Sequence, residues 1–383
     1  MRYRWAVLAA GTVAQTAAAI FGIGLPVLAP ALQDQYGLSI GQVGLLLAAP
    51  WIGGTLTLLP WGIAADRFGE RAVLALGLGG SAFVLAASAY AQSFEDLFGL
   101  LVVAGAAGSS VQSASGRAVM QWFGSDERGL ALGIRQTSIP LGGLIAALTL
   151  PAVTRAGGTE AAFLYLAAAS AAGALVGAVV LRGRGEVDVV ERDSVVRTLR
   201  DGRLWRVCFG SSIYLYAQVA VIGFGVLFLH DQHHLSEQEA AFVFAASQVF
   251  AAALRTGLGR WSDWLGLRVV PLRRVGLAIT AAMLVTALLA GGPLWLLVPV
   301  LAVGGGLSMA WNGLAFTTAA ELAGAARSGA AIGFQQTILS AIGIVAPVLF
   351  AATVSRASWA FAFGLAALFP LAGRFMLRPL VGH

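Results

Sequence analysis

The sequence predicts an all-α integral membrane protein of twelve transmembrane helices, arranged as two similar six-helix halves. Three observations predict this fold class: the composition, the spacing of apolar segments and an internal repeat. Of the 383 residues, 58% are hydrophobic and only 11% are charged, whereas about a quarter of the residues in a soluble domain are charged. So few charges cannot cover a water-exposed surface, but lipid accepts an apolar exterior.

The apolar segments have the length of membrane spans. A helix needs ~20 mainly apolar residues to cross the hydrocarbon core. The predicted spans are 5–31, 41–65, 71–91, 96–122, 128–154, 160–181, 204–230, 237–261, 271–290, 293–321, 327–354 and 357–376. Because the stretch between spans 6 and 7 is polar, we expect an N-terminal six-helix bundle (1–181), a cytoplasmic linker (182–203) and a C-terminal six-helix bundle (204–383).

The placement of arginine predicts the orientation in the membrane. Arginines are frequent at the termini, in the linker and in the loops on the same side, whereas the opposite side has only Arg155 and Arg356. Cytoplasmic loops carry the excess of basic residues. Both termini and the linker are therefore expected to be cytoplasmic, in the plasma membrane of a bacterium. The net charge of +6 does not indicate nucleic-acid binding, because the arginines lie at helix ends.

The two halves of the chain share sequence segments in the same order. The loop after span 2 reads GIAADRFGER (62–71), and the loop after span 8 reads GRWSDWLGLR (259–268). Spans 5 and 11 read ALGIRQTSIPLGGLIA (131–146) and AIGFQQTILSAIGIVA (331–346). A six-span unit duplicated in one orientation gives two related bundles, with the solute site between them near the middle of the membrane.

The first of these loop motifs resembles the signature of the major facilitator superfamily. The second copy departs from it in having Trp264 where the first has an arginine. The resemblance covers the whole chain, and it implies rocker-switch alternating access between two six-helix bundles. It does not identify the substrate.

The two loop motifs and two nearby arginines form the predicted gate. Gly62 and Gly69 should allow close helix approach and a tight turn, and Asp66 should pair with Arg128. The second half should repeat this pair with Asp263 and Arg327, and the alternative for both is a static loop with solvated charges. The predicted gating residues are Gly62, Asp66, Arg67, Gly69, Arg71, Arg128, Gly259, Asp263, Gly266, Arg268 and Arg327.

Three arginines, Arg117, Arg135 and Arg255, lie inside the predicted spans, and no Asp or Glu lies deep in any span. A charged side chain facing lipid at depth costs several kcal/mol by most estimates. The three guanidinium groups should therefore face a wet cavity, and their counter-ion would be an anionic substrate. The alternative is that their long side chains reach the headgroups.

Each of these arginines lies in a run similar to one branch of the superfamily. The run Arg255-x-x-x-Gly259 resembles span 8 of the monocarboxylate transporters and the oxalate/formate exchanger, where the arginine binds the substrate carboxylate. Arg117 lies in a run similar to span 4 of organic-anion symporters, and Arg135 in one similar to the cyanate/nitrite branch. The predicted neutral substrate ligands are Gln136, Gln336, Asn312, Tyr214 and Gln218. Their alternative role is hydrogen bonding between helices.

The sequence thus predicts a secondary active or facilitative transporter of a small organic or inorganic anion. We expect it to function as a monomer in the lipid bilayer without a cofactor, a metal or nucleic acid. We find no nucleophile–base arrangement in the sequence that would suggest an enzyme. The alternative is a drug or cation efflux antiporter, because the run Pro140-x-Gly142-Gly143 is close to the antiporter motif of span 5. Against it, Ile139 stands where that motif has glycine.

Overall fold

The computed structural model describes residues 3–123, 128–181, 200–324 and 328–380, and these are helical almost throughout. The α-helices are Tyr3–Tyr36, Ile40–Ser88, Phe94–Gly108, Ser110–Trp122, Arg128–Gln136, Ser138–Val180, Gly202–Ser212, Tyr214–Gln218, Gly225–His233, Glu237–Leu265, Val269–Leu288, Leu294–Ala323, Ser328–Arg356, Trp359–Ala366 and Leu368–Met376. A π-helix, Val219–Gly223, interrupts span 7, and a 3₁₀-helix, Arg378–Leu380, ends the described chain.

The described helices account for the twelve predicted spans. Ten helices are long and apolar enough to cross a membrane, and an eleventh span is formed by Gly202–Gly223 with Gly225–His233, bent by 44°. The segment Gly133–Val180 has 48 residues, about 72 Å at ~1.5 Å per residue, which is more than twice the ~30 Å hydrocarbon core. The backbone leaves the helical conformation at Gly157 and Gly158, so this segment supplies both span 5 and span 6.

The chain divides into two compact units, Met1–Asp188 (unit 1) and Val189–His383 (unit 2). In unit 1, span 1 packs mainly against the helix Ser138–Val180, which contains most of spans 5 and 6. The helix Ile40–Ser88, which contains spans 2 and 3, packs against that same helix and against span 4. In unit 2, the largest helix contact joins span 8 to span 10. The core of unit 1 is built from small and branched apolar side chains such as Leu74, Leu78 and Val111.

The loop before span 2 and its counterpart before span 8 have the same local structure. Ser39 begins span 2 with a capping box: its hydroxyl accepts from the Gln42 backbone N–H, and the Gln42 side chain accepts from the Ser39 N–H. Ser236 begins span 8 with the same pair of bonds to Glu239. Such boxes satisfy helix N–H groups that have no partner in the helix. The sequence repeat is therefore also a structural repeat.

Positive φ recurs at the turns of both units, although ψ differs between Gly69 (161°) and Gly266 (19°). Gly37 and His234, at equivalent places before the capping serines, both have positive φ, 61° and 56°. The inner-loop glycines Gly69 and Gly266 have φ of 79° and 62°. A side chain at positive φ is strained, so glycine suits these turns and His234 is the exception.

Glycine also sets how closely the helices approach in each unit. A Cβ on Gly53 of span 2 would overlap the carbonyl oxygen of Val102 on span 4. In unit 2 the relation is reversed, because the glycine is Gly306 on span 10 and its Cβ would overlap Phe250 on span 8. Either arrangement lets two helix backbones meet, which is how small residues stabilise membrane bundles.

We expect Gly53→Ala to lower the melting temperature of the purified protein in detergent. The added methyl group meets backbone atoms that cannot rotate away, and such overpacking costs about 1–3 kcal/mol or more. Gly99→Ala is the matched control, because a Cβ there meets no atom within 4 Å and Ala favours a helix by roughly 0.5–1 kcal/mol. Equal melting temperatures for the two variants would contradict the close contact.

Candidate functional site

Unit 1 holds a buried guanidinium group whose partners are all neutral. Arg135, next to the end of the helix Arg128–Gln136, is 6% exposed. Its Nε donates to Ser115 Oγ at 2.9 Å, and its Nη2 donates to the side-chain and backbone oxygens of Gln112 at 3.0 and 3.3 Å. The other terminal nitrogen, Nη1, has no hydrogen-bond partner among the described residues. Among the described residues, the positive charge is therefore dispersed over neutral oxygens alone.

The residue after this arginine, Gln136, belongs to a pair of hydrogen-bonded amide side chains. Gln15 of span 1 is 1% exposed and donates through Nε2 to Gln136 Oε1 at 3.3 Å. Gln15 Oε1 is buried without a hydrogen-bond partner in the described part of the chain. The sequence predicted Gln136 and missed Gln15, although an amide in the middle of an apolar span was the available signal.

Gln335 and Gln336 of unit 2 repeat the burial pattern of Arg135 and Gln136. Gln336, predicted from its alignment with Gln136, is half-buried. Its neighbour Gln335, which aligns with Arg135, is completely buried and donates to Ser211 Oγ at 3.2 Å. Where unit 1 places a cation in its interior, unit 2 therefore places a neutral amide.

Unit 2 has its arginine on a different helix. Arg255 of span 8 donates through Nε to the carbonyl oxygen of Met309 on span 10 at 2.9 Å. Asn312 donates through Nδ2 to the same carbonyl at 3.4 Å and to Gln218 Oε1 at 3.5 Å. The structure thus brings three predicted ligands, Arg255, Asn312 and Gln218, into one hydrogen-bonded cluster that joins spans 7, 8 and 10.

The backbone of span 7 changes its winding directly after Gln218. That residue ends the helix Tyr214–Gln218, the π-helix Val219–Gly223 follows, and the chain then bends before the helix Gly225–His233. π-helical turns within α-helices are frequent at functional sites. The irregular backbone of span 7 therefore begins at the polar cluster.

Tyr214, another predicted ligand, lies in the helix packing of unit 2. It is fully buried, its ring meets Trp311 edge-on at 5.8 Å, and its hydroxyl donates to the carbonyl of Leu272 at 3.4 Å. Gly276 and Gly373 leave the space that its ring fills. These contacts are those of a packing residue, and Tyr214 is left out of the site proposed below.

The loop motif after span 8 in unit 2 (residues 259–268) contains a cluster of ion pairs. Arg268 donates through Nε to both oxygens of Glu321 at 3.1 Å, and through Nη1 to Ser262 Oγ at 3.1 Å and to Asp263. Glu321 lies near the inner end of span 10, so the arginine ties the loop after span 8 to that helix. The described partner of Asp263 is Arg268, whereas the predicted partner was Arg327.

The motif glycines behave in two ways. Gly69 and Gly266 form the tight turns, as predicted for Gly69. The close helix approach predicted at Gly62 is absent among the described residues, because a Cβ on Gly62 or Gly259 would meet no atom within 4 Å. A side chain at either position would therefore not clash with a described neighbour.

Four predicted site residues cannot be placed. The side chains of Asp66, Arg117 and Arg128, and the whole of Arg327, lie outside the described part of the chain. The side chains of Arg67 and Arg71 are described, and they are exposed. Arg67 lies 5.3 Å from the ring centre of Phe68.

Only one acidic side chain is buried in the described residues. Glu70 is 2% exposed, and it follows the turn at Gly69 near the beginning of the helical segment Arg67–Ser88. It therefore lies at the end of span 3, not in its middle. The middle of each described span contains no buried carboxylate.

Comparisons with known proteins agree with this architecture. The family model of the Major Facilitator Superfamily matches residues 10–347. An MFS-type transporter of Mycobacterium tuberculosis is 30% identical over 376 residues, which cover 96% of this chain and 83% of that protein. A probable nitrate/nitrite antiporter of Thermus thermophilus is 28% identical over 309 residues, 74% of this chain and 66% of that protein.

A solved structure shows the same fold. The crystal structure of a bacterial homolog of the human lysosomal transporter Spinster, in an inward-facing and unoccupied conformation, matches with a TM-score of 0.78. The match covers 98% of this chain and 95% of that chain at 17% identity. With the family match over most of the sequence and the shared helical architecture, the chain belongs to the major facilitator superfamily and is a multi-pass membrane transporter of a small solute.

Proposed function

We propose that the transported solute is a small anion, and that Arg135 in unit 1 and Arg255 in unit 2 are the anion-binding cations, each within its own unit. The observation that carries this proposal is the environment of Arg135. Its described partners are the neutral oxygens of Ser115 and Gln112, and burying a charge without a counter-charge costs several kcal/mol. A transporter can retain such a group when a passing anion supplies the missing charge.

The neutral groups complete the proposed ligand set. Gln136, Gln336, Asn312 and Gln218 are the proposed neutral ligands, because a carboxamide can both donate to and accept from a substrate. Arg117 is a third candidate for binding the anion, because it lies within span 4. The similarity to a probable nitrate/nitrite antiporter also supports an anion.

Transport is proposed to follow alternating access of the two six-helix units. Both termini are proposed to lie on the cytoplasmic side of the bacterial plasma membrane. The proposed functional form is a monomer. Arginine-rich inner loops support this orientation. The inner-loop motifs are proposed to control the inner opening. In unit 2, the hydrogen bonds of Arg268 to Glu321 and Asp263 would hold the loop in place, and charge-assisted bonds of this kind are geometrically specific.

A drug or cation exporter, the alternative from the sequence, is not supported by any described residue. Proton-driven cation exporters usually carry an acidic group within the spans of the first half. Glu70 is the only buried acidic side chain described, and it lies at a helix end beside a turn.

Replacing the buried cation tests whether Arg135 serves the ligand or the fold. We expect Arg135→Met to keep or raise the melting temperature of the substrate-free protein in detergent, because it removes a buried charge that no described acidic side chain neutralises. Arg356→Met, at an exposed helix end, is the control and should change stability by about 0.5 kcal/mol or less. A fall of several degrees for Arg135→Met alone would assign Arg135 to structure.

Transport by the reconstituted protein tests the substrate class. Proteoliposomes are assayed with carboxylates, nitrate, cyanate and organic cations. We expect saturable uptake of at least one anion, reduced roughly tenfold or more by Arg255→Gln and by Arg135→Met, because each removes a charge-assisted bond to the substrate. Saturable cation uptake that neither substitution changes would refute the anion proposal.

The gate is tested with the first inner-loop motif. Asp66→Asn and Arg128→Gln should each slow transport, and the double variant should lose less than the product of the two single effects, because paired residues couple. The measurement is the initial rate of uptake in proteoliposomes. If each substitution is harmless and the two effects are independent, Asp66 and Arg128 are ordinary charged loop residues and do not form a gate.

A further inference from the structure

Unit 2 contains buried hydrogen-bond acceptors that no group in the described chain satisfies. Asn312 Oδ1 is buried without a partner, and so are both polar atoms of the Gln248 side chain. Leaving a buried polar atom without a hydrogen bond costs about 1–3 kcal/mol. Ser212, Trp311 and Gln335 of unit 2 also have a buried polar atom without a partner in the described chain. Asn312 differs from them because it shares the Met309 carbonyl with Arg255.

The orientation of the Asn312 carboxamide is determined by its surroundings. Its nitrogen faces two oxygen atoms, the Met309 carbonyl at 3.4 Å and Gln218 Oε1 at 3.5 Å. Amide nitrogen and oxygen are assigned from such networks, and a backbone carbonyl can only accept. Exchanging the two atoms would set oxygen against oxygen at Met309. The atom without a partner is therefore the acceptor, Oδ1.

This acceptor lies next to a guanidinium group. Arg255 Nε and Asn312 Nδ2 donate to the same carbonyl oxygen, that of Met309, at 2.9 and 3.4 Å. A strong cationic donor and an acceptor without a donor are therefore adjacent in the cluster. A ligand that occupied both would accept from Arg255 and donate to Asn312.

Gln248 extends the same polar surface along span 8. It precedes Arg255 by seven residues in the helix Glu237–Leu265, which is about two turns and places the two on one face. Gln248 is 1% exposed. Because a hydroxyl group both donates and accepts, hydroxyl groups of a ligand can satisfy both atoms of this carboxamide.

The chemistry of the acceptors separates classes of anion. Nitrate, cyanate and unsubstituted carboxylates carry only acceptors when they are charged, so none of them can satisfy Asn312 Oδ1. An ammonium group would supply a donor, but it would place a second positive charge close to Arg255, which is repulsive at this range. A hydroxyl group donates without adding charge.

We propose that Arg255 and Asn312 bind a hydroxylated carboxylate, with the carboxylate on Arg255 and a hydroxyl group donating to Asn312 Oδ1, and that Gln248, about two turns away on span 8, lies on the same side of the ligand. Further hydroxyl groups reach Gln248. This inference rests on the proposed anion transport and specifies its substrate class. It also assigns Gln248 to the site as a specificity-determining residue.

Matched pairs of ligands test the proposal with the purified full-length protein. Binding of lactate, propionate, gluconate, alanine and nitrate is measured by calorimetric titration in detergent. We expect the hydroxylated acids to bind about tenfold or more tightly than propionate, because propionate leaves the buried acceptor unsatisfied. Asn312→Leu should reduce this ratio to near one.

A control variant distinguishes the acceptor from a general effect of buried polar side chains. Thr286→Val removes a fully buried hydroxyl that donates to Ala282 O at 2.8 Å on span 9. It should keep the preference for hydroxylated acids. Alanine should bind no better than propionate.

Gln248→Met provides a second test that does not depend on Asn312. The substitution keeps the volume and removes two unsatisfied polar atoms, so the melting temperature of the empty protein should rise. Gluconate affinity should fall at least severalfold. A lower melting temperature with unchanged gluconate affinity would overturn the assignment of Gln248.

The outcomes separate this inference from the function on which it rests. Anion binding that depends on Arg135 and Arg255 but does not discriminate lactate from propionate would overturn the hydroxyl assignment and keep anion transport. Alanine binding as tightly as lactate would also overturn it. Transport of organic cations with no anion binding would overturn both proposals.

Discussion

The constraint on which this structure depends is that lipid offers no hydrogen-bond partners, so every polar group inside a bundle must find one in the protein or in a ligand. Helices satisfy the backbone. Several buried hydroxyl groups, such as that of Ser211, donate to the carbonyl four residues earlier in their own helix. Among the side chains that remain, Asn312 and Gln248 have buried polar atoms without a partner in the described chain, and Arg135 has only neutral described partners.

The duplicated and the non-duplicated features of the two units serve different purposes. The capping boxes and the positive-φ turns recur in both units because each six-helix unit needs the same helix starts and stops. The arginines do not recur. The alignments that define the repeat pair Arg135 with Gln335 and Arg255 with Leu58. The shared elements therefore maintain the bundles, and the charged positions distinguish one unit from the other.

Much of the fold could be predicted, since span length, apolar content and capping serines are local properties of the chain. The site could be predicted only in part. Arg255, Asn312 and Gln218 were identified as polar residues in apolar spans, and they do meet. Gln15 and Gln248 were missed, because a single amide in a span resembles an ordinary interhelical contact until its missing partners are seen. Tyr214 was included because its hydroxyl is polar, but its ring fills the space left by two glycines on other helices.

The sequence by itself determined the membrane-spanning architecture, the duplication and the turn at Gly69, because each follows from composition or from the conformational range of a few adjacent residues. Only the tertiary structure decided which polar side chain faces which neighbour. Consecutive helix residues point about 100° apart, so Gln335 and Gln336 have different environments although both fit the alignment. The approach of span 10 to span 8 at Met309 places Asn312 beside Arg255, and no local pattern encodes that contact.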